Sequence, residues 1–252
     1  MTETPDVPAA RRPGGRGYAV VAGGSGFLGS AVSDRLLAAG YEVVVLDRVA
    51  PTRPGTAWIE TELTDEAAVG SAVARLLAER GAPAALALCQ GWSPKGPDGL
   101  PVAEELVPLA QFREVLEVNL TSCYLLLRSF APVMAEAGAG RVALIGSAAA
   151  RTGRTTAGAA YAVAKAGLEA LVRGFAVRFA PQHVLINCVA PGKIANPAWP
   201  DAPQAVARYR EQIPVGRLAA AEEIAEVIAF LLSDTNSYLT GQTLIVDGGR
   251  LA

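Results

Sequence analysis

Tyr18-Ala-Val-Val-Ala22, followed at once by Gly23-Gly-Ser-Gly-Phe-Leu-Gly29, is the stretch from which the rest of the chain is read. Five apolar residues in a row form a short strand buried on both faces. The glycines after it permit positive φ and close approach of backbone to a ligand. From Phe27 to Ala39 the pattern turns helical, with Gly40 in the place of a C-terminal cap. A glycine loop between strand and helix presents free amides, and the positive end of the helix, to an anion such as a pyrophosphate. Gly23, Ser25, Gly26, Phe27, Leu28 and Gly29 are therefore candidate cofactor contacts. Asp47 closes the next strand, Glu42-Val-Val-Val-Leu46, 18 residues beyond Gly29, where a carboxylate accepts from a ribose diol. A carboxylate there repels a 2′-phosphate, which favours NAD over NADP. Arg48 beside it is the cation that would accommodate such a phosphate.

Outward from this unit, short apolar runs alternate with helical patterns to the end of the chain. Further strands are expected at 57–60, 84–89, 141–145, 184–189 and 243–246, with helices at 66–80, 111–137, 157–180 and 221–232. Strands apolar on both faces and separated by helices describe an α/β fold. The expectation is a single Rossmann-type domain, a doubly wound parallel sheet of about seven strands over residues 18–252. Residues 1–17, rich in Pro, Gly and Arg, read as a flexible leader rather than a signal peptide. The proline-rich connection Lys193–Pro214 is long for a compact domain and reads as a substrate lid with a short helix near Val206–Glu211.

Composition removes several function classes. The 252 residues carry 22 Lys+Arg against 24 Asp+Glu, a net charge of −2, so nothing points to nucleic acid as a partner. Mean hydropathy is +0.30, yet no apolar run reaches the length of a membrane span. A single histidine, His183, excludes multi-histidine metal sites, and no metal is expected. Cys89, Cys123 and Cys188 lie far apart and read as small buried hydrophobes in a reducing, cytoplasmic setting.

The proton chemistry that histidine often performs is open to another pair. Tyr161-Ala-Val-Ala-Lys165 sets a phenol and an ammonium at i and i+4, on one helical face. A phenol ordinarily titrates near pH ~10; a neighbouring cation stabilises the phenolate and makes proton transfer feasible near neutrality. Ser147 ends the fifth strand, on the side of the sheet where ligands bind, and its hydroxyl can hold a carbonyl or alkoxide oxygen.

With these motifs together, the chain resembles the short-chain dehydrogenase/reductase family, of its classical type with a glycine loop spaced as in extended members. The resemblance runs from Tyr18 to Gly249 and rests on the glycine loop, Val118-Asn119-Leu120, Ser147, Tyr161 and Lys165. It includes Asn187 with Val189-Ala-Pro-Gly192, Tyr238-Leu-Thr-Gly241 and Val246-Asp-Gly-Gly249. It implies Tyr161 as general acid/base, Lys165 as its partner and a contact of the nicotinamide ribose, Ser147 as the group orienting the substrate oxygen, and Asn119 as holder of a relay water. It further implies cofactor contacts from Glu62, Leu63, Gln90, Gly91, Pro191, Gly192 and Ile194. The chain departs from the family pattern at Ala22, Phe27, Glu62, Asn196 and the Leu88-Cys89-Gln90-Gly91 segment, where two side chains that brace the sheet are absent.

Trp92, Ser147, Ala149 and Trp199 are the expected substrate contacts, with Ser93, Pro94, Lys95 and Arg154 nearby. Small apolar surroundings point to a neutral secondary alcohol or ketone as substrate. An NAD(P)-dependent oxidoreductase is the leading reading. A lyase, dehydratase or epimerase on the same fold, and a dinucleotide-sensing protein without turnover, are the alternatives. The resemblance implies a homotetramer. The helix at 157–180, with Leu168, Leu171, Val172 and Phe175, carries more apolar surface than one sheet-facing stripe needs.

Overall fold

Strands that carry apolar residues on both faces need helices over both faces. In the computed structural model, which describes residues 16–96, 101–153, 157–196 and 203–252, that need is met. The strands are β1 (Tyr18–Ala22), β2 (Glu42–Asp47), β3 (Thr56–Glu60), β4 (Ala85–Leu88), β5 (Gly140–Ile145), β6 (Val184–Pro191) and β7 (Thr243–Val246). All pair in parallel, in the order β3-β2-β1-β4-β5-β6-β7. Alternate residues serve opposite cores. Val20, Val44, Leu86, Leu144 and Ile186 face α2 (Glu66–Arg80), α4 (Ser122–Glu136) and α5 (Ala159–Phe179). Val21, Val45, Ala87 and Val189 face α1 (Phe27–Ala38) and α7 (Ala221–Leu232). The sheet is therefore a doubly wound Rossmann-type sheet in one domain.

The helix expected at 111–137 is interrupted. α3 (Leu109–Leu116) and α4 are joined by one π turn at Glu117–Thr121. Two side chains account for the interruption. Asn119 Nδ2 donates to the Val115 carbonyl at 2.9 Å, and Ser122 Oγ donates to the Val118 carbonyl at 2.7 Å. Such back-bonding competes with the main-chain ladder for its carbonyls. In the 193–214 connection the helix is α6 (Pro203–Arg210), which begins three residues and ends one residue earlier than the pattern implied. Trp199, Arg154 and the 1–15 part of the leader lie outside the described residues. Among the described residues no helix is long and apolar enough to cross a membrane.

Candidate active site

Strand order reverses between β1 and β4, and at such a switch point loops diverge to leave a crevice at the carboxyl ends of the strands. The crevice here is a cleft of about 1000 Å³. One end holds the glycine loop. Gly23 has φ +70°, and a side chain on Gly29 would place its Cβ 2.1 Å from the Gly23 carbonyl oxygen. At these two positions the turn closes only without side chains. The N-cap of α1 is Gly26, which has no side chain to cap the helix, and the first turn carries no acid. α2, by contrast, is capped by Asp65, which accepts from the amides of Ala67 and Ala68. Of these two helices, α1 thus has the open start suited to an anion.

Asp47 is held in place before any ligand arrives. Its Oδ2 accepts from the Ser25 amide at 3.1 Å and its Oδ1 from the Val49 amide at 3.1 Å. Each carboxylate oxygen retains a lone pair for a diol. Arg48 is exposed and lies 3.9 Å from Glu62. Glu62 Oε1 accepts from the amide and hydroxyl of Thr64, so its carboxylate is turned toward its own loop. Leu63 lines the cleft beside it.

The other end of the cleft gathers Ser147, Tyr161 and Lys165. Lys165 is buried, and its Nζ donates to the Ile145 carbonyl at 2.7 Å and lies 5.5 Å from the Tyr161 ring centroid. Ser147 Oγ accepts from the Ala149 amide at 3.1 Å, which orients the hydroxyl at the end of β5. Gly91 packs close to both Asn119 and Lys165: a Cβ there would lie 3.2 Å from Asn119 Oδ1 and 3.4 Å from Lys165 Nζ. The Asn119 side chain is engaged as a clamp. Its Oδ1 accepts from the Trp92 amide at 3.1 Å, and its Nδ2 donates to the Trp92 carbonyl at 2.7 Å.

Every cofactor candidate read from the sequence lines this one cleft, from Gly23 through Gln90 to Pro191, Gly192 and Ile194. Trp92 lines it too. Asn119 stands behind it, and Ala149 is buried under the turn after Ser147, outside the lining. Sequence reasoning missed Val49, Thr61, Thr64, Glu114 and Ser122. The last two, with Val118 between them, share one helical face at a spacing of four, which was the available signal. Gln90 also has an unforeseen part. Its Nε2 donates to Ser122 Oγ at 3.1 Å and to Cys123 Sγ at 3.3 Å, bracing the end of β4 against α4. Its Oε1 is buried with no partner among the described residues.

The three thiols are free, and burial pushes Cys89 up to about 12 and Cys123 and Cys188 up to about 11. They are poor nucleophiles and poor ligands there. Among the described residues no cluster of His, Cys, Asp and Glu could hold a metal ion. His183, at φ 60°, is exposed at the start of β6, at the opposite end of the sheet.

Comparison with known proteins fits this geometry. A family model described as enoyl-(acyl carrier protein) reductase matches residues 23–250. The chain is 35% identical over 251 residues to cis-4-hydroxycyclohexanecarboxylate dehydrogenase of Sinomonas cyclohexanicum, covering 93% of this chain and 96% of the relative. The chain belongs to the short-chain dehydrogenase/reductase family. It is also 31% identical to the NAD(+)-dependent 2-dehydro-3-deoxy-L-rhamnonate dehydrogenase of a Sphingomonas species, covering 92% of this chain and 94% of that one. Among solved structures it resembles a short-chain dehydrogenase of Leptospira borgpetersenii with bound NAD+, with TM-score 0.85, 26% identity, and coverage of 93% of this chain and 92% of that one. Membership makes this short-chain dehydrogenase/reductase an oxidoreductase with a Rossmann fold and small-molecule substrates.

Proposed function

We propose that the cleft is the active site of an NAD(P)-dependent alcohol dehydrogenase or ketoreductase, with Tyr161 as general acid/base. The observation that carries this reading is convergence: Ser147, Tyr161 and Lys165 open into the same cleft as the glycine loop and Asp47. The residues suit a dinucleotide, since a turn that admits no Cβ at Gly23 or Gly29 lies beside an uncapped helix start and a preset carboxylate. The amides at the start of α1 would hold the pyrophosphate, and Asp47 the adenosine ribose. Asp47 favours NAD over NADP. When bound, the nicotinamide supplies or accepts the hydride.

The chain's own groups handle position and protons. Ser147 would hold the substrate oxygen, and the Tyr161 hydroxyl would pass a proton to or from it. Lys165, one turn along the helix, would stabilise the phenolate and bond the nicotinamide ribose, with Asn119 close to a relay water. Trp92 and the 193–214 segment, whose Ile194 lines the cleft, would close over the substrate. A homotetramer is the proposed assembly. Leu168, Leu171, Val172 and Phe175, the residues the sequence pattern singled out, pack against the core instead. The support comes from the apolar residues that α4 and α5 leave exposed, Tyr124, Val163 and Val177.

The test is to follow nicotinamide absorbance with NAD and NADP against a panel of secondary alcohols and ketones. The panel includes cis-4-hydroxycyclohexanecarboxylate and 2-dehydro-3-deoxy-L-rhamnonate. Tyr161→Phe should lose about 10²–10⁴-fold in turnover, the usual worth of a positioned acid/base, while still binding cofactor. Undiminished turnover would sink the assignment. Cofactor binding with no turnover across the panel would favour a sensing role.

A further inference from the structure

The helix that carries Tyr161 begins without a cap of its own. Its N-cap is Gly158, which has no side chain to offer, and its first turn contains no acid. The cap arrives from elsewhere in the chain. The Ala159 amide donates to Glu104 Oε1 at 2.7 Å, across 55 residues of sequence. Glu104 opens a single 3-10 turn, Glu104–Leu106, in the loop between β4 and α3. This loop also packs against the catalytic turn. A small cavity is walled by Pro101, Val102 and Glu104 from the loop, and by Gly158, Ala160 and Tyr161 from the helix. The far end of the same loop is fastened at Trp92 by the Asn119 amide. The loop is therefore tied at its start to the group beside Lys165, and at its end to the turn bearing Tyr161.

We propose that Glu104 is a positioning residue for the proton step, its carboxylate capping α5 from outside the helix and holding the Tyr161 turn in register with Ser147 and Lys165. The proposal rests on the reading of Tyr161 as acid/base. The physical basis is the location of the weak point. The first amides of a helix have no partner within it, and an uncapped first turn opens more readily than the body of the helix. Tyr161 lies in that first turn, two residues after Ala159. Lys165 lies a turn deeper, buried and bonded to the Ile145 carbonyl. Loss of the cap thus loosens the phenol while leaving the ammonium, the glycine loop and Asp47 in place. The expected signature is a loss in kcat without a loss in cofactor binding.

The test uses full-length Glu104→Ala and Glu104→Gln. Glutamine retains a side-chain oxygen able to accept from the Ala159 amide, and alanine does not. Hydrogen exchange of the NADH-loaded protein reads the cap directly. Exchange over residues 158–163 should quicken in Glu104→Ala and return toward the parent rate in Glu104→Gln. Turnover is read with NAD and cis-4-hydroxycyclohexanecarboxylate, or with the panel member turned over fastest. Glu104→Ala should lower kcat about three- to tenfold, the population effect of a typical lost cap, at unchanged KM for NAD. Glu104→Gln should recover most of it.

Parent-like exchange in Glu104→Ala, an equal loss in both variants, or a rise in KM for NAD would overturn the proposal. An inactive Tyr161→Phe beside a fully active Glu104→Ala would overturn the positioning role alone. A Tyr161→Phe protein that still turns over would overturn the acid/base reading beneath it, and the exchange data would still report whether the cap exists.

Discussion

Replacing Gly29 with alanine sets two effects of opposite sign against each other. Alanine in place of glycine inside a helix gains up to about 1 kcal/mol of intrinsic propensity. Here the new Cβ would fall 2.1 Å from the Gly23 carbonyl oxygen, with the Gly24 Cα at 2.8 Å. Real Cβ contacts essentially never fall under 3.0 Å, so the loop and helix must part by about 0.9 Å. The obstructing atoms are backbone and cannot swing aside as a side-chain tip would. Overpacking of this kind costs about 1–3 kcal/mol, which exceeds the propensity gain. For a domain of this size each kcal/mol lowers Tm by about 2–4 °C, so a fall of several degrees is expected.

The larger consequence of this substitution is for the cofactor. Shifting the α1 amides by most of an ångström carries them past hydrogen-bonding distance from a bound pyrophosphate. Loss of charge-assisted bonds worth about 1.5–3 kcal/mol raises Kd roughly ten- to a hundredfold. Fluorescence titration with NADH and thermal unfolding measure both effects. Gly26→Ala is the control, because Gly26 already has an ordinary φ of −73° and its Cβ would meet only the Gly23 carbonyl oxygen, at 3.3 Å. A Gly29→Ala protein with parental Tm and parental Kd would refute the steric account of the loop.

Asp47→Ala removes both the diol acceptor and the anchor of the Ser25 and Val49 amides. The ratio of kcat/KM for NAD to that for NADP should fall about tenfold or more, and an unchanged ratio would contradict the cofactor preference. Asn119→Ala leaves both part-buried backbone groups of Trp92 and the buried Val115 carbonyl short of partners. It should cost about 2–4 kcal/mol of stability, measured by denaturant unfolding at unchanged m. The thiols give a pH prediction. Burial holds Cys89 near 12 and Cys123 and Cys188 near 11, against an ordinary 9.0 in the unfolded chain. The folded protein therefore keeps protons that the unfolded chain releases between those values. The thiol contribution to stability is fully present below pH 9.0 and falls as pH rises toward about 12. Iodoacetamide at pH ~8 should leave Cys123 and Cys188 of the native protein unmodified and label them in the unfolded chain, and rapid native labelling of either would contradict the burial. Cys89, half-buried and lining the cleft, is the one native thiol the reagent can approach.

Much of the site was legible because its signals are local. The glycine loop announces itself between an apolar run and a helical pattern, and Asp47 follows at a spacing set by one strand–helix–strand unit. Tyr161 and Lys165 declare their proximity through helical periodicity alone. What was not legible depends on contacts between distant segments. The interruption of the α3–α4 helix needs Asn119 to turn back on Val115 while gripping Trp92, and periodicity reports neither. The loss of the usual bracing side chains at Leu88 and Cys89 read as a deficit. In the fold Gln90 supplies a brace, because its amide reaches Ser122 and Cys123 on α4. Glu104, exposed and in a loop without a motif, carried no sign that it caps the helix of Tyr161.

The amino-acid order by itself determined the alternation of strands and helices, the phosphate-type loop and the spacing of the phenol and ammonium. These follow from steric and periodic rules acting over fewer than about twenty residues. Tertiary structure alone decided that strand order reverses between β1 and β4. It also decided that the two chemical halves share one cleft, and which distant side chains hold them rigid. Those outcomes depend on burying both faces of one sheet and pairing every buried polar group, and such constraints act across the whole chain at once.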